Sequence, residues 1–156
     1  MTHAIRGGIV IGLGQMRHQY SMTKITLSRE LFNRMISHCR SVFPNEACGM
    51  FAGRDGIAER IYEMANVESS PVSYMMDPKA QFVAMKEMRE RGEKMVSIYH
   101  SHPQSQAYPS NKDVEIAFYS DAVYIIVSLL NHDDPVIRAF EIAGGEVLEA
   151  DIEVHS

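Results

Sequence analysis

From Lys24 onward, short apolar runs alternate with helical stretches, and the residues between them fix where each element begins and ends. Ser28 can cap a helix whose apolar positions Leu31, Phe32, Met35, Ile36 and Cys39 recur at helical spacing, and Pro44 stops that pattern. Residues 47–53 and 57–64 are two apolar runs joined by Arg54-Asp55-Gly56, which predicts a β-hairpin. A polar loop over 66–73 follows. Asp77 as N-cap, Pro78 at the first helical position and Gly92 beyond the end bracket a second helix, with Phe82, Val83, Met85 and Met88 as its expected apolar face. A buried strand is expected over 95–99, a third helix near 112–120, and strands near 123–129, 136–142 and 146–152. The order β-α-β-β-α-β-α-β-β-β predicts an α/β fold, a single-domain mixed β-sheet flanked by helices.

Composition narrows the classes open to such a chain. Its 156 residues suit one domain, and 46% hydrophobic with 22% charged residues is enough apolar material for a core. A net charge of −5 supplies no basic field, so nucleic acid and anionic membrane are poor partners. The longest apolar run, 122–130, is too short to span a bilayer. Two cysteines, Cys39 and Cys48, make no disulfide framework and fit a reducing cytoplasm. Residues 1–21 read as a disordered extension, with the domain running over 22–156. Gly12-Leu13-Gly14 within it opens a dinucleotide fingerprint that Arg17 breaks.

Chemistry concentrates between Tyr99 and Asp113. Residues two apart on a strand share a face, so His100 and His102 can turn both imidazoles toward one metal while Ser101 faces away. Asp113, one turn into the next helix, can supply a third ligand and leave a fourth tetrahedral position for water, the pattern of a catalytic zinc site. Two neutral imidazoles and one carboxylate keep such a zinc acidic enough to bring its water's pKa toward about 7. Each part has an ordinary reading as well: Ser110-x-x-Asp113 is also a helix capping box. With 7 histidines in the chain, about 0.3 His-x-His pairs arise by chance, and requiring Ser and Asp at their fixed positions lowers this to roughly one in a thousand. Glu46, opening a buried strand just after the first helix, is the best candidate for a general base.

Glu46, His100-Ser101-His102, Ser110 and Asp113 together match the E…H-S/T-H-x7-S-x2-D pattern of the JAMM (MPN-plus) zinc metalloproteases at every position, and the chain resembles the minimal bacterial type of that family over the whole domain. The resemblance implies a cytidine-deaminase-like fold and one Zn²⁺ per chain on His100, His102 and Asp113. By the same resemblance Glu46 is the general acid/base, and the Ser110 hydroxyl donates to the developing oxyanion. The implied reaction is hydrolysis of the peptide or isopeptide bond after the C-terminal Gly-Gly of a ubiquitin-like protein. The short loops leave little room for the insertions with which other members grip a second ubiquitin, so the resemblance to the minimal bacterial form implies a ubiquitin-like sulfur carrier protein, or its C-terminally extended form, as the partner.

The competing class is a catalytically inactive MPN-type interaction scaffold, which usually lacks some ligands; none is missing here. Zinc-dependent base deamination would need H-x-E and P-C-x-x-C, and neither is present. Cys48 reads as a small core residue rather than a redox-sensitive inhibitor, and most of the 11 methionines as core filling. Tyr74, Met75 and Met76 are candidates to line a groove for the substrate tail. His132 is expected in solvent, and His3, His18, His38 and His155 show no partner pattern.

Overall fold

The computed structural model describes residues 3–5 and 20–156. Most of the extension expected to be disordered, with the Gly12-Leu13-Gly14 run and the side chains of His3 and His18, lies outside the described residues; the parts described, residues 3–5 and 20–21, are strand rather than disordered, because their main chain pairs with β8. The elements are β1 (His3–Ile5), β2 (Tyr20–Ser28), α1 (Arg29–Val42), β3 (Cys48–Arg54), β4 (Ile57–Met64), α2 (Pro78–Glu90), β5 (Lys94–His102), α3 (Asn111–Glu115), β6 (Val123–Ser128), β7 (Val136–Ala143) and β8 (Glu146–His155). From β2 onward their order is the one expected from sequence.

Sequence punctuation acts where it stands. Ser28 ends β2 and caps α1, its Oγ accepting the Leu31 N–H at 3.2 Å. Asp77 caps α2 by accepting the Lys79 N–H at 3.1 Å, with Pro78 in the first turn. Asp55 and Gly56 both hold positive φ, 53° and 73°, as the two central residues of a tight hairpin turn require.

The eight described strands form one mixed sheet in the order β1-β8-β2-β4-β3-β5-β6-β7, and β7 also pairs with β8, so the sheet closes on itself. β5 lies inside it, antiparallel to β3 and parallel to β6. Strand alternation divides the buried residues into two clusters. Val123, Ile125 and Val127 of β6 face the cluster that takes Phe32, Met35 and Cys39 of α1, while Tyr124 and Ile126 face the cluster that takes Ala84 and Met88 of α2. Each large side chain so buried contributes about 1.5–3 kcal/mol.

Two expectations need correction. Phe82 and Val83 do not face the core of α2; they are 66% and 59% exposed. The inward stripe is Ala80, Ala84 and Met88, which lie four residues apart on one face of the helix and pack on the second cluster. The third helix ends at Glu115 rather than near 120. Ile116, Ala117 and Tyr119 all pack on the second cluster, and the Tyr119 N–H leaves the helical pattern to donate to Tyr124 Oη at 3.0 Å.

The β3–β5 seam tolerates no side chain at Gly49, which pairs with Tyr99: a Cβ there would lie 2.4 Å from the Tyr99 ring. Gly49→Ala is therefore expected to lower stability by about 1–3 kcal/mol through overpacking, read as a lower urea midpoint at unchanged m-value; an unshifted midpoint would contradict the close approach.

Candidate metal centre

The register of β3 against β5 builds the site. Cys48 pairs with His100, so Glu46, two residues before β3's first pair, arrives beside His102, two residues further along β5. Ser101 turns to the opposite face, as expected, and there its Oγ accepts the Ala47 N–H at 2.8 Å while its own N–H donates to the Ala47 carbonyl at 3.0 Å. This clamp extends the seam past the ladder's end and fixes the chain next to Glu46.

Asp113 comes from the other side, on the first turn of α3. The capping box is present: Ser110 Oγ accepts the Asp113 N–H at 3.1 Å, and Asp113 Oδ2 accepts the Ser110 N–H at 2.8 Å. Capping does not remove Asp113 from the centre: the same Oδ2 lies 3.2 Å from His100 Nε2 and 3.0 Å from His102 Nε2. The two Nε2 atoms are 3.0 Å apart. His102 Nδ1 faces the Gln106 carbonyl at 2.8 Å and must donate to it, which leaves Nε2 of the neutral ring with a lone pair directed at two other electron-rich atoms.

With both imidazoles neutral, such an arrangement suits a cation at its centre. Three ligand atoms of a tetrahedral zinc site lie about 3.3 Å apart, given bonds of about 2.0–2.1 Å, and the observed edges of 3.0–3.2 Å fit that triangle. Glu46, His100 and His102 also group closely enough to hold a metal. Glu46 Oε1, however, is 4.0 Å from His102 Nε2, further out than Asp113, so the tight set is His100, His102 and Asp113 with Glu46 beside it.

Burial sets the electrostatics. Glu46 is 3% exposed and its Oε2 has no hydrogen-bond partner, so burial pushes its carboxyl up to about 8, with His102 opposing the shift and Asp113 adding to it. Burial also works against the Asp113 carboxylate, but its bonds to the two imidazoles and the Ser110 N–H hold it well below the usual range. His100, fully enclosed, is pushed down by burial despite Asp113. For His102 burial is outweighed by Asp113 and the Gln106 carbonyl, and the group is held above its ordinary value.

The structure thus brings Glu46, His100, His102, Ser110 and Asp113 together, with four of them buried and Ser110 exposed at the mouth. Tyr74 stacks on His100 with ring centroids 4.5 Å apart, and with Met75 and Met76 it lines a groove of about 290 Å³ that also reaches Ile98, Ile116 and Phe118. Cys48 is core: its thiol is pushed up to about 12, by burial first and Glu46 second, which leaves it a poor nucleophile. His132 is exposed. His38 does have a partner, the Tyr99 hydroxyl at 2.6 Å. Gln106 and Asn66 escaped the sequence reading, Gln106 because a main-chain carbonyl leaves no trace in residue identity.

Residues 28–143 match the family described as prokaryotic homologs of the JAB domain. The chain belongs to that family. It is 37% identical over 132 residues to the "CysO-cysteine peptidase" of Mycobacterium tuberculosis, covering 83% of this chain and 90% of that one. It is 34% identical over 107 residues to a "Probable TtuB-protein conjugate cleaving protease" of Thermus thermophilus, covering 68% and 72%. The solution structure of a Desulfitobacterium hafniense protein superposes with a TM-score of 0.77 at 39% identity, covering 85% of this chain and 93% of the other. The family resemblance and the mixed α/β fold expected from sequence are both borne out, and so is the peptidase class. Among the described residues no helix is long and apolar enough to cross a membrane.

The Glu46 shift has a measurable consequence in metal-free protein. Between about pH 4.5 and about pH 8 the folded chain keeps a proton on Glu46 that the unfolded chain has released, so this group's contribution to stability falls as pH rises. Glu46→Gln removes that dependence, and its melting temperature is expected to gain on wild type by several degrees between about pH 5 and about pH 8. A constant difference across that window would rule out a protonated, buried Glu46.

Proposed function

We propose that this chain is a zinc-dependent metallopeptidase that hydrolyses the peptide or isopeptide bond after the C-terminal Gly-Gly of a ubiquitin-like protein, a sulfur carrier above all. The observation that carries the proposal is the triangle of His100 Nε2, His102 Nε2 and Asp113 Oδ2, with edges of 3.0–3.2 Å and a buried, unsatisfied Glu46 carboxyl beside it. The names of the two relatives, one a CysO-cysteine peptidase and one a protease of TtuB-protein conjugates, support a substrate of that class. Residues 22–156 carry every residue of the proposed catalytic centre. Two free, buried cysteines support a reducing cytoplasmic setting.

His100, His102 and Asp113 would hold zinc, one ion per chain, and the ion would supply Lewis acidity and bring the pKa of a water toward neutrality. Glu46 is positioned beside His102 to take a proton from an attacking water and to return it to the leaving amine. Ser110 Oγ already accepts the Asp113 N–H, which orients the hydroxyl and leaves its proton free to donate to the oxyanion at the exposed mouth of the site. The groove beside Tyr74, Met75 and Met76 takes the substrate tail. Glycines suit it because a chain without Cβ atoms can pass close to the walls and present its carbonyl.

Zinc analysis combined with cleavage of a Gly-Gly-tailed sulfur carrier bearing C-terminal extensions tests the mechanism. Wild type is expected to hold about one zinc per chain; Glu46→Ala keeps the zinc and loses turnover on the order of a thousandfold, while Asp113→Ala binds zinc weakly. Undiminished cleavage by Glu46→Ala would remove Glu46 from the mechanism. Wild type unable to hold zinc would favour the interaction-scaffold reading.

A further inference from the structure

Glu46 lies between α1 and β3 in a stretch that belongs to neither, and its Oε2 has no hydrogen-bond partner. Its Oε1 comes no nearer than 4.0 Å to His102 Nε2, so no short bond aims the side chain and its direction follows from how the main chain of residues 46–47 is held. Ser101 holds Ala47, as described above. Both main-chain groups of Glu46 itself are held by the loop between β4 and α2. The Glu46 N–H donates to the Ser70 carbonyl at 2.8 Å, and the Glu46 carbonyl accepts from Asn66 Nδ2 at 3.0 Å.

Asn66 does more than this. The same Nδ2 donates to the Ser73 carbonyl at 3.0 Å, and Oδ1 accepts the N–H groups of Glu68 and Met75, both at 3.1 Å. Two carbonyls on one side and two N–H groups on the other leave one orientation for the amide and use all four of these bonds. The Asn66 main chain also bridges Met76. The segment tied in this way carries Tyr74, which stacks on His100, and Met75 and Met76, which line the groove. One partly buried side chain thus joins the strand end that bears Glu46 to the wall along which the tail is proposed to lie.

We infer that Asn66 is a positioning residue for the reaction, its side-chain amide holding the main chain of Glu46 in fixed relation to the groove wall at Tyr74–Met76. The inference rests on the peptidase reading and on Glu46 as its acid/base. Asn66 touches neither the metal triangle nor any reacting atom. Its effect passes through where Glu46 stands.

The test uses Asn66→Asp, which keeps both acceptor bonds to the loop and gives up both donations, with Asn66→Ala to separate the lost donors from the added charge. Both variants are expected to keep wild-type zinc content. Turnover falls about ten- to hundredfold, while KM stays within about threefold. In zinc-free protein the amides of Glu46 and Ala47 exchange with solvent on the order of tenfold faster in Asn66→Asp than in wild type. In a Glu46→Gln background Asn66→Asp changes the residual turnover by less than about twofold, because the residue it positions has already lost its function. An equal loss in that background would show a general structural role and overturn the inference, as would unchanged turnover or unchanged exchange. If Asn66→Ala does not fold, Asn66→Asp decides alone. Wild type that does not cleave would sink the peptidase reading itself, whereas an active wild type with a fully active Asn66→Asp sinks only this inference.

Discussion

The reciprocal pair between Ala47 and Ser101, Oγ accepting one N–H and the Ser101 N–H meeting the Ala47 carbonyl, governs everything the site can do. Strand pairing alone fixes Cys48 against His100, but the ladder stops there, and Glu46 would otherwise enter from an irregular segment with freedom to turn. The clamp carries the register past the end of the strand. It explains why the residue between the two histidines is a small hydroxyl: Ser101 must face away from them, fit a fully buried position and still offer an acceptor. A one-residue slip of this seam would exchange the faces of His100, Ser101 and His102 and abolish the centre.

Around that seam the molecule accepts an unfavourable concentration of polar groups. Glu46, His100, His102 and Asp113 are all buried, and only Asp113 finds enough donors to remain an ordinary carboxylate. Glu46 and His100 each keep an unpartnered atom. A fold optimised for stability would not leave these atoms without partners, since an unsatisfied buried group costs about 1–3 kcal/mol. The apolar packing of α1 and α2 on opposite faces of the sheet offsets that cost.

Most of the architecture was legible because it is written in local chemistry: a serine and an aspartate as caps, Asp55-Gly56 at a turn, apolar residues two or nearly four apart. The four ligating and acid/base candidates were legible because strand periodicity and a helix start fix directions as well as positions. What escaped was decided by contact between distant elements. Which stripe of α2 faces inward depended on how the helix packs on the second cluster, so Ala84 displaced Phe82. Where α3 ends depended on the cluster that receives Ile116 and Tyr119. Asn66 looked like one more loop residue, for its partners are main-chain groups whose arrangement no side-chain pattern records.

The closure of the sheet through β7 and β8 reaches beyond stability. An open sheet offers a row of unpaired amides that an incoming peptide can join as one more strand. Here β7, which ends the main strand order, already has β8 as a neighbour. Among the described residues, the free edge that remains near the centre is that of β4, which meets β2 only where Thr26 pairs with Ile57 and runs on toward Met64, the partner of Cys48.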